Sequence, residues 1–297
     1  MKNYSALFFA FATRYRLRRI AIAHALLLFL LPQYSIAYSY LALGNTGELE
    51  EVSSSNPLFQ AEPIVWSQNR ISLAIDLEGV DAPPNSGISV DNNGWNTAAL
   101  ISMEKWNEAA LGFSWERDSI TNSGDLCGFG VSEDGVNQIA WSSDYCGAGW
   151  GSGTLALTQI TYQITEGSGG TRAEIIDIQI LVNSSHRWDV YDGPLQYASQ
   201  NTPTYDLKRV LLHELGHGLG LTHPDDNGQN VSSIMLSTES DTFNLTSDDI
   251  EGVNTLYPES ASGVLSPIGR SSGGGGFNLF LSFYILIVFV FRRLSVS

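Results

Sequence analysis

The chain has 297 residues, 43% of them apolar, with 7 Trp, 12 Tyr and 13 Phe, which supplies a substantial core and excludes a disordered chain. Its 31 acidic and 15 basic residues give a formal net charge of −16, a balance that repels phosphate backbones and excludes nucleic acid as a partner. Such an excess of carboxylates suits a soluble exported protein or one that holds cations.

Lys2, Arg14, Arg16, Arg18 and Arg19 precede an apolar run from Ile20 to Leu31, a break at Pro32 and the stretch Ser35-Ile36-Ala37, with no acidic residue before Glu48. That layout predicts a signal peptide over residues 1–37, with an uncleaved anchor as the alternative. Residues 38–62 are polar and weakly patterned, with Gly44, Gly47 and a serine run, and read as a flexible leader. A single domain is expected over residues 63–258. Within it, Ile71 to Leu77 alternates like a half-buried strand, and Asn96 to Ala110 repeats apolar residues at helical spacing with Asn96 as its cap. Phe113 to Glu116, Gln138 to Trp141, Thr154 to Ile164 and Glu174 to Val182 read as strands, the last two joined as a hairpin through the Gly-rich stretch Glu166 to Thr171. Cys127 and Cys146, the two cysteines of the chain, would pair in an oxidising compartment, a free thiol pair being the alternative.

Asp206 to Leu221 is apolar on one side and begins beside an acidic residue, as a helix does. A last helix is expected from Ser247 to Leu256, with Thr246 or Ser247 as cap, Asp248 and Asp249 at the positive end of its dipole, and Pro258 after it. Residues 259–276 form a Gly/Ser-rich linker. The apolar run Phe277 to Phe291, within a C-terminal segment 277–297, is shorter than the ~20 residues a spanning helix prefers and is followed by Arg292 and Arg293. Without both terminal signals, seven basic residues are lost and no acidic one, leaving a net charge near −23.

The chemistry is concentrated in HELGHGLGLTH, His213 to His223. On a helix, His213 and His217 stand at i, i+4, one imidazole above the other on one face, where a zinc ion can bridge them. Glu214 adjoins the first ligand and can accept a proton from water without ligating the metal. Gly220 lets the helix end and the chain turn, because glycine takes left-handed backbone angles cheaply, and His223 then completes three nitrogens. The fourth position is left to water, whose pKa falls toward about 7 on zinc. Three of the five histidines fall in this window, which sets it apart from a chance pair on a surface helix.

The pattern HExxHxxGxxH is similar to that of the metzincin metallopeptidases, and Ser233-Ile234-Met235 resembles their Met-turn. The resemblance implies a zinc metalloendopeptidase in which His213, His217 and His223 hold the metal, Glu214 is the general base and Met235 is a packing floor beneath the ligands. Ile71 to Leu77, the helix bearing Trp106, the two long strands and Leu245 to Pro258 together resemble the matrixin catalytic domain over Pro63 to Pro258. That implies an α+β, zincin-like fold, a twisted, mostly parallel five-stranded sheet with an active-site helix, a Met-turn and a C-terminal helix, and a substrate pocket walled by Leu236 to Phe243. Pro224 follows His223 as in serralysins, yet Ser237 stands where serralysins and astacins place a tyrosine ligand, so the resemblance points to a bacterial-type matrixin.

Outside the window only His24 and His186 remain, too few for the second, structural zinc of animal matrixins. Hard oxygen ligands for calcium stand at Asp91 to Asn93, Asp125, Asp134 and Asp189 to Asp192. The tail resembles the GlyGly-CTERM segment of some Gram-negative bacteria, which implies a sorting protease of rhombosortase type as a partner, with a plain membrane anchor as the alternative. The expected location is then extracellular or at the bacterial cell surface, with proteins or peptides as substrates. A surface binding or adhesion module retaining the metal site is the competing class of function. Glu214 argues against it, because purely structural zinc sites are closed by a fourth protein ligand.

Overall fold

The computed structural model describes residues 37–44, 49–54, 61–78, 83, 94–119, 136–151, 153–167, 170–198, 202–259 and 289–292. Along them run β1 (Ser39–Leu43), β2 (Leu49–Ser53), β3 (Glu62–Pro63), β4 (Val65–Trp66), β5 (Arg70–Asp76), α1 (Asn96–Ala109), β6 (Ser114–Arg117), β7 (Gln138–Ser142), β8 (Thr154–Gly167) and β9 (Gly170–Asn183). They continue as β10 (Trp188–Asp189), β11 (Gln196–Tyr197), β12 (Pro203–Asp206), α2 (Leu207–Gly218), β13 (Leu221–Thr222), α3 (Ser247–Leu256) and β14 (Phe289–Arg292).

The main sheet has the order β14-β8-β9-β7-β5-β6, with β4 also on β9. Pairs β5/β6, β5/β7, β7/β9 and β4/β9 are parallel, and β8 alone turns back antiparallel on β9. The fold is therefore α+β and metzincin-like, with β8-β9-β7-β5-β6 as its largely parallel five-stranded sheet. The expected hairpin between the two long strands is formed, with Glu166 opposite Thr171. Parallel neighbours need a crossover, and α1 supplies the one from β5 to β6.

Leu73, Ile75, Ile139, Ile178 and Ile180 of the sheet and Trp106, Val210, Leu211 and Leu215 of the helices are buried in one core. Each such side chain contributes about 1.5–3 kcal/mol on removal from water. Trp106 Nε1 donates to Leu212 O at 2.8 Å and Ser102 Oγ to Lys208 O at 3.0 Å, which fixes α1 against α2 by polar contacts as well as packing.

Helix ends follow their local chemistry. Asp206 caps α2, its carboxylate accepting from Lys208 N at 3.2 Å and Arg209 N at 3.3 Å. At α3, Asp249 reaches back to Thr246 N at 2.7 Å. The expected cap at Asn96 is replaced by Trp95, which makes no side-chain cap bond. Asn96 Oδ1 instead accepts from Leu77 N at 2.9 Å, so the end of β5 takes the group that would have capped the helix.

The stretch read as a flexible leader contains β1 and β2, an antiparallel pair with Tyr40 opposite Val52. β1 also pairs with β13, Tyr40 opposite Leu221. Burial of Leu41, Leu43 and Val52 holds this hairpin on the domain, and polar flanking residues concealed it in the sequence.

Most of both termini falls outside the described residues, including residues 1–36 of the expected signal peptide over 1–37. The described part of the tail corrects the reading of a membrane or sorting segment. Phe289–Arg292 is a strand, with Phe289 opposite Thr158 and Val290 opposite Leu157 on β8. Aromatic and β-branched residues favour that state, and the outer edge of β8 offers backbone groups to pair with. Among the described residues no helix is long and apolar enough to cross a membrane. Cys146 is disulfide-bonded and no cysteine is free among the described residues, while Cys127, its expected partner, lies outside them.

Candidate active site

α2 is buried from Arg209 through Gly218, and its central turns bring His213 and His217 to the same side. The chain then turns at Gly220, whose φ of +94° is the left-handed region. A Cβ there would lie 2.7 Å from Ile64 O, so glycine is required both for the turn and for the close approach of β4's neighbour. β13 follows and delivers His223 back toward the helix.

The outer nitrogens of the three imidazoles are all committed. His213 Nδ1 lies 2.8 Å from Ile234 O, His217 Nδ1 2.8 Å from Leu221 O, and His223 Nδ1 2.9 Å from Asp226 Oδ2. A carbonyl or carboxylate oxygen accepts only, so each Nδ1 carries the proton and each Nε2 turns a lone pair inward. Those Nε2 atoms converge, His217 to His223 at 3.1 Å and His223 to His213 at 3.2 Å.

Three lone pairs at that spacing repel unless a cation lies among them. Nitrogens about 2.0–2.1 Å from a tetrahedral zinc stand about 3.3–3.4 Å apart, close to what is observed, so the residues fit such an ion. Burial lowers the pKa of His213 and His217 well below the usual range, and of His223 as well, where Asp226 opposes the shift. All three imidazoles are thereby held neutral, the form that ligates metal.

Glu214 is fully buried. Its Oε2 accepts from Thr158 Oγ1 at 2.6 Å, and its Oε1 has no hydrogen-bond partner among the described residues. Burial raises its pKa to about 8, with the Thr158 bond acting the other way. The same hydroxyl also lies 3.1 Å from Glu214 O, so β8 fixes both the backbone and the carboxylate of this residue.

Beneath the helix, a Cβ on Gly216 would collide with Met235 Sδ. Met235 thus packs directly against the helix between the two histidines. The turn bearing it is held by Asp249 of α3, which accepts from Ser233 Oγ at 2.5 Å and Ile234 N at 3.1 Å. Ser237, where related families place a tyrosine, bonds Asp225 instead, N to Oδ1 at 2.9 Å and Oγ to Oδ2 at 2.6 Å.

Among the described residues these three histidines are the only group of His, Cys, Asp or Glu placed to hold a metal ion. Of the calcium candidates, Asp91 to Asn93, Asp125 and Asp134 lie outside the described residues. Asp192 pairs with Lys208 at 2.6 Å, and Asp189 accepts from Val190 N at 2.5 Å. Sequence reasoning missed Thr158, Asp226 and the structural part of Asp249. Asp226 had a readable signal, an acid three residues past a ligand, whereas Thr158 had none.

The metzincin-like fold thus brings together three converging imidazoles, an adjoining glutamate and a methionine packed against their helix. Residues 158–258 match the family model for matrixin. The chain is 36% identical over 74 residues to matrix metalloproteinase-18 of Xenopus laevis, covering 25% of this chain and 16% of that one. It is likewise 36% identical over 101 residues to human matrix metalloproteinase-26, covering 33% and 36%, and 36% identical over 66 residues to human matrix metalloproteinase-16, covering 22% and 11%. The chain thus spans well under two thirds of the length of these relatives.

These relatives are vertebrate proteins, which corrects the bacterial-type assignment to the coarser one of a matrixin-like domain. The match at 158–258 does not reach the tail, and the described tail residues form β14. The GlyGly-CTERM resemblance, the sorting partner of rhombosortase type and the Gram-negative cell-surface location are withdrawn on these grounds.

Proposed function

We propose that residues 63–258 cleave peptide bonds in protein substrates at one zinc ion held by His213, His217 and His223. The convergence of three inward Nε2 atoms, each with its Nδ1 committed elsewhere, supports this reading most strongly. Zinc, when bound, supplies a Lewis acid that polarises the substrate carbonyl and acidifies a water. Glu214 takes the proton of the attacking water and passes it to the leaving amine. Its burial holds that proton strongly, and a divalent cation nearby favours the carboxylate, so the two influences leave a base suited to neutral pH. Thr158 holds Glu214 in place, Met235 supports the ligands from below, and Gly220 lets His223 return to them.

Hydrolysis of casein by the zinc-loaded chain, beside Glu214→Ala, tests this. The variant is expected to keep its zinc and lose about 10²–10⁴-fold in kcat. Equal hydrolysis by both proteins would remove Glu214 from the reaction.

A further inference from the structure

β13 is 2 residues long, and among the described residues β1 is its one ladder partner. Leu41 N also donates to Gly220 O at 2.8 Å, so the contact reaches back to the turn that ends α2. Two parts of the metal site depend on this stretch. Leu221 O accepts from His217 Nδ1, and His223 follows Thr222 directly. So short a strand has no stability of its own, and its course is set by the neighbour it pairs with.

The β1–β2 hairpin also grips the loop that follows His223. Ser39 Oγ donates to Gln229 Oε1 at 3.2 Å and Gln229 Nε2 donates to Ser53 Oγ, so one amide joins both strands of the hairpin to the loop. Asn227 Nδ2 donates to Ser39 Oγ at 3.2 Å and lies 3.4 Å from His223 O. Next to Asn227 stands Asp226, whose carboxylate accepts from His223 Nδ1. The loop's own backbone bonds, Asn227 N and Gln229 N to Pro224 O and Gly228 N to Asp225 O, fix its shape and not its place on the domain. Its place is set by Ser237 at Asp225 and by the hairpin at Asn227 and Gln229.

Apolar burial alone would hold a hairpin on the domain without choosing these partners. Ser39 is 1% and Gln229 8% exposed, and polar groups buried to that degree cost stability unless they are bonded. Their bonds tie burial of the hairpin to one placement of the loop. The hairpin lies outside residues 158–258, which match the matrixin model, and a chain that lost it would lose the neighbour of β13.

We propose that the β1–β2 hairpin is a working part of the metal site, with Gln229 and Ser53 as positioning residues that hold β13 and the 224–229 loop so that His217 and His223 keep their orientation. The proposal rests on the zinc site described above and does not require peptide hydrolysis. Zinc-loaded full chains are mixed with an excess of a chromophoric chelator, and the rate of zinc release is read beside the urea midpoint. Gln229→Leu removes both amide bonds at similar volume and is expected to release zinc about tenfold faster, the lower end of what loss of a ligand's outer support costs. Ser53→Ala is expected to release it about threefold faster, and Ser53→Thr, which keeps the hydroxyl, at the wild-type rate. Asn254→Ala is the control, because Asn254 bonds Ala109 O, Ile250 O and Leu111 N rather than β13 or the loop. It is expected to lower the urea midpoint without altering release.

A folded Gln229→Leu that releases zinc at the wild-type rate would overturn the proposal, and so would an Asn254→Ala that speeds release as much. If Gln229→Leu does not fold, the two Ser53 variants decide: faster release from the Ala variant alone supports the role, and equal rates overturn it. A wild-type chain that binds no zinc overturns the site and this proposal together. A zinc-loaded chain that cleaves no peptide removes the peptidase reading, and the release rates still judge the hairpin.

Discussion

Two polar clusters share α2 and are finished in opposite ways. In the middle of the helix, every outer nitrogen of His213, His217 and His223 meets an acceptor, and burial keeps all three rings neutral. One turn earlier, Arg209 and Glu239 are buried with polar atoms left over. The first arrangement fixes lone pairs toward a point, which a metal requires. The second spends stability on geometry and leaves a group whose proton state depends on pH. A single helix can thus carry a site made robust by satisfied bonds beside one made adjustable by incomplete ones.

The support of the first cluster breaks most readily at Asp249. Asp249→Ala removes acceptors from Ser233 Oγ, Ile234 N and Thr246 N, and bonds to a charged acceptor are worth about 1.5–3 kcal/mol each in isolation. A loss of about 2–3 kcal/mol in urea unfolding is expected after partial relaxation, together with weaker zinc retention because Ile234 O orients His213. A change below about 0.5 kcal/mol would mean the turn holds itself.

The second cluster is sharpened by pH. Burial raises Glu239 to about 7, opposed by Arg209 and reinforced by Asp206 and Asp241, and burial raises Asp206 to about 6. A folded-state pKa above the unfolded value near 4 means the folded form prefers the proton. The resulting stability is present at low pH and is lost as pH rises through about 7. Glu239→Gln removes that loss, so its stability relative to wild type should rise by about 1–3 kcal/mol between pH 5 and pH 8. A parallel pH dependence in both proteins would place the titration elsewhere.

The smallest effect is expected at Thr158, which joins β8 to the first cluster. Its hydroxyl lowers the pKa of Glu214, so Thr158→Val raises it and leaves less of the base form in mild acid. Activity at pH 6 should fall about threefold with little change at pH 8. An unaltered acidic limb would show that the bond positions Glu214 without tuning it.

The window His213 to His223 was legible because helical period and one glycine place its members by local geometry alone. The strands β5, β7, β8 and β9 were legible for the same reason, their patterns being long enough to show. Thr158 meets Glu214 across 56 positions of sequence, and Arg209 meets Ser240 across 31, contacts that only the sheet order and loop packing create. The hairpin of β1 and β2 was obscured because Leu49–Ser53 carries two glutamates between its apolar residues. Asn96 misled as a cap because a neighbouring strand end competes for its side chain. In the tail, the segment 277–297 read as a sorting or membrane segment contains the strand Phe289–Arg292 that pairs with the edge of β8, because short aromatic runs suit either setting.

The central claim is that three imidazoles hold one zinc ion, and X-ray absorption on the zinc-loaded chain, with metal content measured beside His217→Ala, tests it most directly. One zinc per chain with three nitrogen neighbours at about 2.0–2.1 Å, and its loss in the variant, is the predicted result. A folded wild-type protein that takes up no zinc, or a variant that retains it in full, would contradict the account.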